Sequence, residues 1–199
     1  MVGCCEVLVS LCTGLTISMA VWTHIAHSSL SLPASSVTWT SISSSYDHLH
    51  IKMSARSSDT TGSTSTLTDS ELQMGNGSVD TGTNYSDTAL LAYGGSNALA
   101  TRSTGQDTIQ RIWIPSDSTT SDTFSVTNIW IPNYTASGYK QAVITSSGEN
   151  NTTTLYYWGN ILVAGMWHST SAVTHLKLNC TVGNFMSQSS FDLYGIKGV

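Results

Sequence analysis

Along most of the chain, apolar residues recur at every second position in short runs. Clusters of Ser, Thr, Asn, Asp and Gly separate the runs. A period of two belongs to a β-strand with one buried and one wetted face. The clearest case is 46–55, where Leu49, Ile51, Met53 and Ala55 alternate with His48, His50, Lys52 and Ser54. Similar runs occupy 20–27, 36–42, 108–115, 124–132, 140–145, 153–158, 161–167, 172–181 and 190–196, and Leu72 and Met74 open a shorter one. About ten strands at this spacing predict an all-β chain: an antiparallel two-sheet β-sandwich of jelly-roll-like type.

The breaks carry their own signals. Asn76-Gly77, Gly159-Asn160 and Gly183-Asn184 mark tight turns. Residues 57–69, nearly all Ser, Thr, Asp and Gly, read as an exposed loop. Asp87 to Ala92 reads as a short helical turn stopped by Gly94-Gly95. The tetrapeptide Ile-Trp-Ile-Pro occurs at Ile112–Pro115 and again at Ile129–Pro132, joined by the polar run 116–122. A hairpin is the expectation, each Pro ending a strand where no ladder donor is needed. No second-domain boundary is visible, so 19–199 is expected to form a single β-sandwich domain.

Residues 1–18 stand apart. They hold Cys4, Cys5 and Cys12 and an apolar run, but no Lys or Arg precedes Lys52. A signal peptide normally has a positive start, and a membrane span needs about 20 apolar residues. The segment therefore reads as an upstream extension ahead of a true start at Met19, with a signal-like or lipid-anchor segment, or a genuine part of the protein, as alternatives. Cys180 would then be the lone cysteine of the mature chain, a small buried hydrophobe within a strand.

Composition narrows the picture. Of 199 residues only 10% are charged, while Ser and Thr make up nearly a third. Six Trp and eight Tyr argue against disorder. A net charge of −5 gives no basis for binding nucleic acid, which needs clustered Lys and Arg. No nucleic-acid or membrane partner is expected.

Candidate chemistry is sparse. There is no Gly-x-Ser-x-Gly elbow, phosphate loop or dinucleotide fingerprint, and no acid pair stands out. A non-enzymatic protein without cofactor is expected. His48 and His50 share a strand face and are weak metal candidates, with His168 or His175 as a third ligand brought from elsewhere. Residues 76–82 carry oxygen ligands at alternate positions but lack the closing acid of a calcium loop, so a structured turn is expected. The aromatics are the richer resource. Trp113, Trp130, Trp158 and Tyr156 are candidates for stacking on sugar rings or filling an interface. Trp113 and Trp130 lie between Ile neighbours, so if Ile faces the core both indoles face outward.

Four stretches carry a family resemblance. They are Val37-Thr38-Trp39-Thr40-Ser41-Ile42 with Tyr46-Asp47-His48-Leu49; Leu72 to Gly77 with Asn84-Tyr85-Ser86; Ile129-Trp130-Ile131-Pro132-Asn133-Tyr134 with Tyr139-Lys140; and Ser189-Ser190-Phe191-Asp192-Leu193-Tyr194-Gly195-Ile196-Lys197. In this order they resemble small virion structural proteins of tailed bacteriophages, especially podophage-type and marine phages. Gly77 stands where that group has an acid. The resemblance implies a place in the virion as a head-decoration or tail-appendage subunit. It implies assembly with copies of itself and other virion proteins, and carries no catalytic residues. A host-surface glycan-binding module of a tail fibre is the alternative. Phe191 and Leu193 on one face, with Asp192 and Tyr194 on the other, read as a last strand that Gly195 ends or bends.

Overall fold

The computed structural model describes residues 20–61, 67–93, 97–149 and 159–198. The expectations placed on 1–18 and 153–158, Tyr156 and Trp158 included, lie outside them. The strands are β1 (Val21–Ser29), β2 (Ser36–Trp39), β3 (His48–Ser54), β4 (Leu67–Asn76), β5 (Ser78–Val79), β6 (Tyr85–Tyr93), β7 (Asn97–Gln106), β8 (Ile109–Pro115), β9 (Val126–Ile131), β10 (Lys140–Ser147), β11 (Gly159–Trp167), β12 (His175–Cys180) and β13 (Ser190–Lys197).

They form two antiparallel sheets in an open sandwich. The large sheet has eight strands in the order β1-β13-β3-β9-β10-β11-β6-β7. The small one runs β2-β12-β4-β5, with β8 also pairing β4. The all-β, two-sheet expectation therefore holds. No described helix is long and apolar enough to cross a membrane.

Alternation builds the core. In β3 the burial follows the sequence pattern, with Leu49, Ile51 and Met53 inside. Ile129, Ile131, Ile144, Val163, Phe191 and Leu193 extend this layer across the large sheet, and Leu72, Met74, Ile112, Ile114, Leu176 and Leu178 answer from the small one. The sheets come into tight contact at Gly165, where a Cβ would stand 2.5 Å from the Ile109 side chain. Only glycine fits beneath that isoleucine.

Three local expectations are corrected. Residues 87–92 are not a helical turn but the middle of β6, paired along its length with β11 and β7. Asp87, Ala89 and Leu91 point inward and Leu90 outward, so the alternation that tertiary pairing requires overrides the helix preference of Ala and Leu. The two Ile-Trp-Ile-Pro strands form no hairpin. β8 pairs β4 in the small sheet, whereas β9 lies between β3 and β10 in the large one. Like sequences with like burial patterns thus face one core from opposite sides. The buried Arg56 guanidinium donates to the carbonyls of Thr119, Thr120 and Thr123 and gathers the connection between the sheets. Within the loop expected to be exposed, Ser57 and Asp59 are buried; Asp59 accepts from Thr61 and Thr68.

The closing stretch Ser189–Lys197 becomes β13, flanked by β1 and β3. Gly195 does not end it. Its missing side chain makes room for the Tyr46 ring, which a Cβ would meet at 2.3 Å. Residues of the other resembling stretches are likewise fold-building. Tyr134 is buried and donates to the Ser43 carbonyl. Lys140 is buried and donates to Ala136 and Gly138 carbonyls, 2.6 Å each.

Candidate functional site: the outer face of the large sheet

The outward side chains of the large sheet fall into continuous cross-strand rows. One runs His24, Tyr194, His50, Trp130, Val143, Ala164, Thr88, Arg102. The next runs His27, Asp192, Lys52, Asn128, Thr145, Leu162, Leu90, Ala100. Opposite residues in such rows are in side-chain contact range. The rows change character between β9 and β10.

The half made by β1, β13, β3 and β9 is aromatic and titratable. The Trp22 ring lies 5.0 Å from His50 and 5.9 Å from Tyr194. Trp130 lies 5.0 Å from His48 and stands edge-on to His50 at 6.0 Å. Lys52 extends over Trp22 and Tyr194, 6.0 and 5.6 Å from their ring centres, close enough for cation–π attraction. His50 is walled in. Its ring nitrogens are shielded from solvent and make no hydrogen bond of normal geometry. Burial lowers its pKa; neighbouring Asn128 opposes this and the charge of Lys52 adds to it. His50 is therefore neutral at pH 7.

A β-bulge builds the edge of this half. β1 and β13 pair in register up to His24 and resume at Ala26, leaving Ile25 unpaired. Regular alternation would turn His24 and His27 to opposite faces. The extra residue puts both outward. His24 Nε2 lies 3.1 Å, and His27 Nδ1 2.7 Å, from the same oxygen, Asp192 Oδ1. Partial burial raises the Asp192 carboxyl, but the bonds and charge from His27 and His24 outweigh it and hold it below the usual carboxylate range.

The strands β10, β11 and β6 carry no charged outward side chain, and Arg102 of the edge strand β7 stands at their border. Val143, Leu162 and Leu90 are 46%, 46% and 54% exposed. A shallow depression of about 290 Å³ runs between Leu90, Ala92, Thr145, Asn160 and Leu162. Its ion pair lies underneath. A second irregularity, in β8, sets Gln110 and Arg111 against Glu71 alone, with Arg111 at φ 65°. This sends the Arg111 guanidinium onto Asp87 Oδ1 of β6 and, at 2.6 Å, onto Ser103 Oγ of β7. Gln110 N donates to the other carboxylate oxygen. Burial raises the Asp87 carboxyl, and the charge and bond of Arg111 oppose the rise.

The sequence-predicted residues separate accordingly. Trp130 faces outward between buried Ile129 and Ile131, as its alternation implies, and joins the aromatic half. Trp113 is on the other sheet, half-buried against the core, and its indole bonds Asp69, so the two indoles form no common platform. His48 and His50 share a face, but neither proposed third ligand reaches them. His168 stacks on Tyr139 and His175 pairs with Thr174. His48 Nδ1 accepts from Asn133 N. Residues 76–82 form a turn in which Asp80 accepts from Gly82 N, Asn84 and the Trp167 indole. The His24–His27–Asp192 group was not legible from spacing, because a bulge is not encoded in the period.

No family model, curated protein or solved structure matches the chain.

Proposed function

We propose that the chain is a non-enzymatic structural subunit of a bacteriophage particle, displayed as a head-decoration or tail-appendage protein, and that it works by assembly. The observation that carries this reading is the uncharged aliphatic half of the outer face, where Val143, Leu162 and Leu90 stand on adjacent strands. Contiguous exposed apolar surface on a folded domain marks a contact site. The occupant is another copy of this chain. A face without charges meets its own image without repulsion, and a two-fold axis needs only one self-complementary patch. The low overall charge and the four stretches that resemble phage virion proteins support the same reading.

A second reading, recognition of a host-surface glycan, draws on the aromatic half. Trp22 is 50% exposed beside Tyr194 and Lys52, with Asp192 and Asn128 in the neighbouring row. An exposed indole offers a face to a sugar ring, and the polar neighbours offer bonds to its hydroxyls.

Mass spectrometry of purified particles from the encoding phage tests the placement; the chain should be present in many copies. Its absence from particles would remove the reading. Particles that lack the protein, assemble normally and fail to adsorb would favour recognition over assembly.

A further inference from the structure

The bulged edge of the large sheet holds a donor set that nothing in the fold requires. We propose that His24, His27 and Asp192 form a binding site for one divalent transition-metal ion of the Zn²⁺ class, with its remaining positions open to solvent. His24 Nε2, His27 Nδ1 and a carboxylate oxygen of Asp192 lie within 4.8 Å of one another. Both imidazoles point at one oxygen, at 2.7 and 3.1 Å. Ligands about 2.0–2.1 Å from a tetrahedral metal stand about 3.3 Å apart, so each imidazole nitrogen would draw back from the Asp192 oxygen by only a few tenths of an ångström to admit an ion between them. Two imidazoles and one carboxylate, with positions left free, are a donor set that such metals take.

Three features point to a metal rather than a passive surface contact. The bulge at Ile25 is what brings both imidazoles to one face, over the Asp192 carboxylate. The Tyr194 ring packs edge-on against His24 at 5.2 Å and restricts its rotation, so the imidazole is held toward Asp192. Lys52, directly across from Asp192 in the ladder, turns over the Trp22 and Tyr194 rings, and the ion-pair partners of the carboxylate are the two histidines. The cation placed to neutralise Asp192 is thus held away from it.

The test is a titration of the full chain with Co²⁺, then with Zn²⁺ in competition. One equivalent of Co²⁺ should bind and give visible d–d bands without a thiolate charge-transfer band, and Zn²⁺ should displace it. His24→Ala and His27→Ala should each weaken binding at least about tenfold, and Asp192→Asn likewise, while circular dichroism stays unchanged because these side chains are largely outside the core. His48→Ala should bind as the unaltered protein does. A saturable site that survives the paired His24→Ala and His27→Ala substitution would overturn the proposal. So would a thiolate band, which would assign the ion to a cysteine, and so would the absence of stoichiometric binding.

Discussion

The two halves of the large sheet's outer face share one backbone and the same cross-strand rows, yet they place their charges differently. On the β1-β13-β3-β9 side the ionic cluster sits outside, with both histidines half-exposed around Asp192. On the β10-β11-β6 side the outside is neutral and the ion pair lies inside, with the Asp87 side chain wholly buried under Arg111. Each cluster is set by a strand irregularity. The buried one is saturated: both oxygens of Asp87 accept bonds. Such a pair joins β8 to the far end of the large sheet. The exposed one leaves room beside its carboxylate for a ligand. Placement and residue type together divide them, since an exposed imidazole can offer a lone pair to a ligand and a buried guanidinium cannot.

The largest expected break in this contrast comes from Arg111→Ala. It would leave the Asp87 carboxylate buried without its cation, a change that costs about 3 kcal/mol or more. The loss would appear in urea unfolding, and a change below about 1 kcal/mol would mean that the pair is not what ties β8 to β6 and β7. Next is Gly195→Ala, on the core side of β13 beneath the aromatic half. The added methyl must displace the Tyr46 ring, and overpacking of this kind costs about 1–3 kcal/mol.

A smaller, pH-dependent effect should come from His50. Its folded pKa lies below the ordinary value because burial disfavours the cation. The unfolded chain takes up the proton first, so stability falls as pH drops from the ordinary histidine value of about 6.5 toward the lower folded value, by at most about 1.4 kcal/mol per pH unit. His50→Phe should flatten that part of the stability profile. An unchanged slope would show that the imidazole is not shielded as described. Smallest is Asp192→Asn in metal-free protein. The exposed contacts it removes are each worth under about 1 kcal/mol, in contrast to the Arg111 result.

The fold class was legible because burial here follows alternation closely. Leu49, Ile51 and Met53 go inside as their period of two requires, and Trp130 goes outside for the same reason. β6 was hidden because Ala89, Leu90, Leu91 and Ala92 favour a helix locally, and only pairing with β11 and β7 makes them a strand. β7 was hidden because it is an edge strand whose residues bury little and so show no apolar alternation. The sheet switch between β8 and β9 was hidden because the contacts that hold the connection, Arg56 on the carbonyls of Thr119, Thr120 and Thr123, come from more than 60 residues away. The two ionic clusters were invisible for a shared reason. Each depends on one strand slipping against its neighbour, and the partners are far apart in the chain, Asp192 being 168 residues from His24.

The most direct test of the central claim, that the aliphatic half is the assembly surface, is sedimentation equilibrium of the intact chain beside the paired Leu90→Asp and Leu162→Asp variant. Both substituted side chains point outward, so the fold should persist by circular dichroism. The unaltered protein should sediment as an oligomer and the variant as a monomer. An oligomer of equal mass in both, or a monomer in both across the micromolar range, would contradict the account.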